Sequence, residues 1–163
     1  MAITAKQLTS TLAADGTLTM QLAEQALPTP TGHQVLVKVE AAPINPSDLG
    51  LLFGAADVAG ADFSGGRIVA QMPQAAMGVM AARVGMAMPV GNECAGTVIE
   101  AGDAAEAQAL IGKRVACLPG GAFASHVLTD ARGCMPVPDA ISAEQAAACF
   151  VNPLTAQGFV VLN

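Results

Sequence analysis

Residues 34–41, QVLVKVEA, place Val35, Val37 and Val39 on one face of an extended chain and Leu36, Lys38 and Glu40 on the other, which predicts a half-buried strand. Shorter alternating stretches at 17–23 (TLTMQLA), 95–101 (AGTVIEA), 113–118 (KRVACL) and 122–128 (AFASHVL) predict further strands, divided by glycine and proline turns. Short strands in that rhythm suggest a barrel or a sandwich. Helices are the minority. Asn45-Pro46 reads as an N-cap followed by proline at the first helical position, with Asp48 in the first turn, where the helix dipole favours an anion. Ser142 and Gln145 form a capping box ahead of the apolar run from Ala146 to Phe150. Asn152-Pro153 repeats the N-cap and proline pattern and predicts a last helix running to, or nearly to, Asn163. Between the first helix and residue 89 lies a glycine-, alanine- and methionine-rich segment, 55–88. Met77, Met80 and Val84 fall on one face of a helix that Gly85 is placed to end, predicting a packing or interface helix.

With 163 residues the chain fits one domain, and one of this size buries about 70% of its unfolded surface. It is unusually apolar, at 53% hydrophobic and 12% charged residues, yet charges, glycines and prolines interrupt every stretch well short of the roughly 18 apolar residues of a membrane span. The opening MAITAKQLTS lacks the basic start and apolar core of a secretory signal, so a cytoplasmic protein with no membrane partner is expected. A formal charge of -6, no Lys/Arg cluster and no Trp or Tyr leave neither phosphate-neutralising nor base-stacking side chains, which argues against a nucleic-acid partner. Cys94, Cys117, Cys134 and Cys149 are widely spaced, without a CxxC pair, and read as reduced, mostly buried thiols.

Candidate chemistry centres on PVGNECAG, residues 89–96, where an amide, a carboxyl and a thiol are adjacent. Neighbouring side chains on extended backbone point to opposite faces, so Asn92, Glu93 and Cys94 cannot all converge on one metal. His33 and His126 lack nearby His or Cys partners in the sequence and read as structural.

Four segments taken together carry more. VLVKVEAAPINPSDLGLLFG (35–54), PVGNECAGTVIEAG (89–102), IGKRVACLPGGAFASHVL (111–128) and ISAEQAAACFVNPLTAQG (141–158) resemble, in the same order, the N-terminal half of the medium-chain dehydrogenase/reductases, closest to the zinc-independent quinone oxidoreductase-like branch. The resemblance implies a GroES-like β-barrel, mainly β with a few helices. It would form a catalytic domain over 1–150 with an insertion at 55–88, and 151–163 would start the helix leading into a Rossmann domain.

Zinc-dependent relatives bind the metal through a Cys-x-Ser/Thr-Asp and a Gly-His-Glu segment. The matching positions here are Asn45, with Ser47 and Asp48 kept, and Asn92, with Gly91 and Glu93 kept, while a third ligand position falls near Val151. Two amides and an aliphatic chain do not replace zinc ligands, so no metal is expected. The resemblance then implies hydride reduction of a quinone or an electron-poor enone or carbonyl by NADP(H). Asn45, Ser47 and Asn92 would polarise the carbonyl, Asp48 and Glu93 would orient them, and Asn152 and Thr155 would contact the nicotinamide side. The Rossmann half would carry the dinucleotide site and the usual dimer surface, which leaves homodimerisation open and this chain alone inactive. Two alternatives stand beside this reading. One is a free-standing GroES-like binding module, associating through Phe159–Leu162. The other is a 2-enoyl thioester reductase, although that family's tyrosine would fall near Ala56 in a chain without tyrosine.

Overall fold

The computed structural model describes residues 3–161. In chain order the strands are Ile3–Leu12 (β1), Thr17–Leu27 (β2), Gln34–Ala41 (β3), Asp57–Asp62 (β4), Arg67–Gln71 (β5), Ala87–Pro89 (β6), Cys94–Ala101 (β7), Arg114–Cys117 (β8), His126–Asp130 (β9) and Cys134–Pro136 (β10). The helices are Pro46–Leu52 (α1), Gln74–Met77 (α2), Ala105–Gln108 (α3), Ala143–Ala147 (α4) and Val151–Val161 (α5). None is long and apolar enough to cross a membrane.

Two antiparallel sheets of five strands result, in the orders β4-β5-β2-β1-β6 and β10-β8-β7-β3-β9. They join where β1 meets the chain entering β9: the Leu8 amide donates to Phe123 O and the Ser125 amide to Lys6 O, both at 2.8 Å. The main core lies on one face of the second sheet, where Val35 and Val37 pack with Val98, Val115 and Val127. Full burial of each such valine is worth about 1.5–3 kcal/mol. The opposite face of β3 is also closed over its first half, because Leu36 packs with Ala5 and Leu27. The strand is therefore buried on both sides where alternation predicted one. Next to it, β7 passes so close that a Cβ on Gly96 would lie 2.0 Å from Lys38 O, a position that only glycine fits.

Several expectations are corrected. The strand expected at 122–128 begins only at His126, because residues 123–125 are committed to β1. The methionine segment forms one turn of α2 and a 3-10 turn at Ala81–Arg83 rather than one helix. Its apolar side chains nevertheless pack inward, with Met77, Met80 and Val84 against the core of the first sheet. Residues 57–71 build a hairpin whose second strand, β5, pairs with β2. The last helix starts at Val151, so Asn152 is inside it and is not its N-cap.

Candidate active site

The site forms where the N-terminus of α1, the loop before β7 and the start of α5 meet. Asn45 stands at the N-cap of α1 with extended backbone, and Pro46 opens the helix as the sequence predicts. The Asp48 Oδ2 atom accepts the Asn45 amide N–H at 2.8 Å, holding the first turn closed. On the opposing loop, Gly91 has φ of +96°, and a Cβ there would lie 2.6 Å from Phe123 N. The Gly91 carbonyl accepts from the amides of Gly121 and Ala122 at 2.8 and 3.0 Å, so the loop is tied to the segment that joins the two sheets.

From this loop the three adjacent side chains diverge. Asn92 Nδ2 donates to Ser47 Oγ at 3.0 Å and to Asp48 Oδ1 at 2.7 Å. An acceptor oxygen of Asp48 facing the amide fixes which way it points. Glu93, fully buried, turns the other way: Oε1 accepts from Asn45 Nδ2 at 2.9 Å, and Oε2 accepts the amides of Phe150 and Val151, each at 3.0 Å. It thus satisfies N–H groups at the start of α5, which have no partners within the helix. Cys94 points into the core beside Cys117.

Asn152 Nδ2 completes the cluster by donating to Asn45 Oδ1 at 3.0 Å. This is why Asn152 does not cap its own helix: a carboxyl from 58 residues away does so instead. Thr155 Oγ1 donates back to Val151 O at 2.7 Å and meets none of the other candidates. Six of the seven site residues expected from the sequence therefore form one hydrogen-bonded cluster. Sequence reasoning missed the two backbone amides that Glu93 holds, for which nothing in the local sequence gives a signal.

The chemical state of each group follows from its partners. Asn45, Asp48 and Glu93 are buried, and all four carboxyl oxygens are occupied. Both N–H donors of Asn92 are spent on Ser47 and Asp48. Ser47 is exposed, and its oxygen accepts one bond, from Asn92, while its own hydrogen stays available. Among the described residues, no three His, Cys, Asp or Glu side chains gather as metal ligands. His33 pairs with Glu106 and His126 with Ser125.

The fold thus pairs two antiparallel sheets and sets an Asn-Pro-Ser-Asp helix start against a Gly-Asn-Glu loop. The chain belongs to the alcohol dehydrogenase GroES-like domain family, whose model matches residues 31–139, and so to the medium-chain dehydrogenase/reductase superfamily. Two similar solved structures are provisionally assigned as NADPH:quinone reductases. The one from Mesorhizobium loti is 27% identical, with a TM-score of 0.67 over 99% of this chain and 45% of that one. The one from Bacillus thuringiensis is 26% identical, with a TM-score of 0.69 over 96% and 40%. The CurK enoyl reductase, at 21% identity and a TM-score of 0.65 over 94% and 41%, shares the fold. The chain thus spans less than half the length of the structures it matches.

Proposed function

We propose that this chain is the catalytic half of a zinc-independent, NADPH-dependent oxidoreductase that reduces a quinone or an electron-poor enone or carbonyl. The observation that carries the reading is Ser47, an exposed residue of the cluster with an uncommitted hydroxyl hydrogen. A substrate carbonyl accepting that hydrogen would be polarised by one neutral donor, fixed in direction by Asn92 and Asp48. One neutral donor suits an acceptor that already draws electrons. A simple ketone makes a larger demand, met elsewhere by a Lewis acid. The positions where relatives carry zinc ligands hold Asn45, Asn92 and Val151, a donor set of two amides and an aliphatic chain that does not fit the metal. Both amides are also engaged by carboxyl groups.

In this reading Ser47 touches the substrate, and Asn92 lines the same edge with its free oxygen. Asn45, Asp48 and Glu93 act as positioning residues. NADPH would supply the hydride when bound. Asn152, exposed beside Asn45, keeps an N–H and its oxygen for the nicotinamide edge, and Thr155 lies one turn further along α5 with an oxygen still able to accept. Gly65-Gly66 and Gly120-Gly121 lie in strand-to-strand connections, so neither offers the helix N-terminus that a pyrophosphate needs. We assign the pyrophosphate to a Rossmann half of the full-length protein, consistent with the greater length of the relatives. Ala56, packed against the core beyond α1, offers no hydroxyl for the tyrosine-dependent route of the enoyl thioester reductases.

The test is NADPH oxidation with a panel of quinones, enones and simple ketones, using the full-length protein. The expected outcome is turnover of electron-poor acceptors that Ser47→Ala lowers by about tenfold or more in kcat, in line with the loss of one polarising donor. Turnover that needs added zinc, or an unchanged kcat in Ser47→Ala, overturns the reading. Tight, saturable NADPH binding by residues 1–163 alone overturns the division into halves.

A further inference from the structure

Three of the four cysteines, far apart in sequence, occupy one row across the second sheet. In register, Cys94 of β7 is opposite Cys117 of β8, and Cys117 is opposite Cys134 of β10. The thiols of Cys94 and Cys117 are 3.6 Å apart, and both residues are fully buried in the main core, with Cys134 packed against them. Cys134 is half-buried and lines a surface cavity of about 450 Å³ bounded by Leu118, Arg132, Met135 and Phe150. Directly opposed cross-strand residues have Cβ atoms about 4.5–5.5 Å apart, a little wider than the roughly 3.5–4.5 Å of a disulfide, so small backbone movements suffice to join them. The sulfurs are strung along a line and do not surround a point, which suits a pairwise bond better than a metal ion.

We propose that the row is an oxidation site for small disulfides, entered at Cys134 and closed by Cys117. The chemistry balances as two exchange steps. Cys134 attacks a disulfide RSSR, forming Cys134–S–S–R and releasing one RSH. Cys117 then attacks the Cys134 sulfur, forming the Cys117–Cys134 disulfide and releasing the second RSH, so two protein thiols are oxidised as RSSR is reduced to two thiols. Entry at Cys134 follows from burial, since Cys134 is half-buried and the other two cysteines are fully buried. The row is slow at neutral pH, because a thiol held neutral is a poor nucleophile. The Cys134 thiol is raised by its hydrogen bond to Cys117, by burial and by the nearby Cys117 and Asp130.

The experiment incubates the folded, reduced chain with 2-hydroxyethyl disulfide, quenches with a thiol-alkylating reagent and maps peptides without reduction. Trypsin is followed by cyanogen bromide, which cuts after Met135 and separates Cys134 from Cys149. The expected result is loss of two hydrogens from the intact mass and a Cys117–Cys134 cross-link, retained in Cys94→Ser and absent in Cys134→Ser, which leaves Cys117 fully alkylated after unfolding. Far-ultraviolet circular dichroism on each variant confirms that it is folded. A mixed disulfide at Cys134 that never resolves, a Cys94–Cys117 link, or a cross-link that forms only in urea each overturns the proposal.

Discussion

Ser47 and Glu93 show how two polar residues in one cluster divide its work. Ser47 is exposed and keeps a free donor, whereas Glu93 is buried with both oxygens occupied by three N–H donors. Replacing Glu93 by Gln puts an NH₂ where either Asn45 Nδ2 or the Phe150 and Val151 amides now donate, opposing donor to donor. Stability should fall by about 1–3 kcal/mol, read as a lower urea midpoint with an unchanged slope. Ser47→Ala should stay within about 0.5 kcal/mol of the parent in the same measurement, as expected at an exposed position. Together the pair separates a group that holds the site from one that the site presents. A large stability loss in Ser47→Ala would show that its bond with Asn92 is structural.

At the scale of elements, Gly96 makes the sharpest prediction. A methyl group there would meet the backbone carbonyl of Lys38 at 2.0 Å, at a buried position of β7 paired directly with β3. Gly96→Ala should therefore cost at least the roughly 1–3 kcal/mol of an overpacked core and shift the thermal midpoint downward, while Gly133→Ala, with nothing near its Cβ, should not.

Much of the fold was legible in such local terms. Alternation marked β3, the Asn45-Pro46 and Ser142–Gln145 signals marked the starts of α1 and α4, and the glycine turns marked the strand ends. What stayed hidden depends on distant partners. The side chains of β1 do not alternate cleanly between buried and exposed, and the strand is held by β2 on one side and β6 on the other. The start of α5 is set by Glu93 rather than by a local cap, and the cysteine row exists only once β7, β8 and β10 are in register. The site residues were legible as a set because their motifs are short and local. Which of them keeps a free donor depends on pairing across 44 and 45 residues, and no local pattern encodes that.

For the whole molecule, stability should depend on alkaline pH through the core thiols. For Cys117, the Cys134 thiol acts to lower its pKa, but the Cys94 thiol and burial outweigh that and push it from 9.0 up to about 12. A raised folded value means that the unfolded chain gives up this proton first. The contribution is complete below about pH 9 and is lost as pH rises toward the folded value, by up to about 1.4 kcal/mol per pH unit for one thiol. Urea midpoints should hold up to about pH 8 and then decline, less steeply in Cys117→Ala. A midpoint that rises above pH 9 would contradict the buried-thiol account.

The same scale decides where the molecule opens first. The first half of the core strand β3 is hydrogen-bonded on both sides and packed on both faces, so its amides should exchange only through global unfolding. In contrast, α5 has no buried residue, and Leu154, Phe159, Val160 and Val161 are all at least 60% exposed. Its first turn is anchored by Glu93 and Asn45, and those contacts do not extend along the helix. Amide exchange in α5 should therefore be fastest toward Val161 and slowest next to Val151. Glu93→Gln should accelerate the whole helix while leaving β3 limited by global stability. If a Rossmann half covers the apolar residues of α5 in the full-length protein, the gradient should flatten there, with the far end of the helix gaining most protection. An unchanged gradient in the full-length protein would mean that the exposed face of α5 is not where the two halves meet.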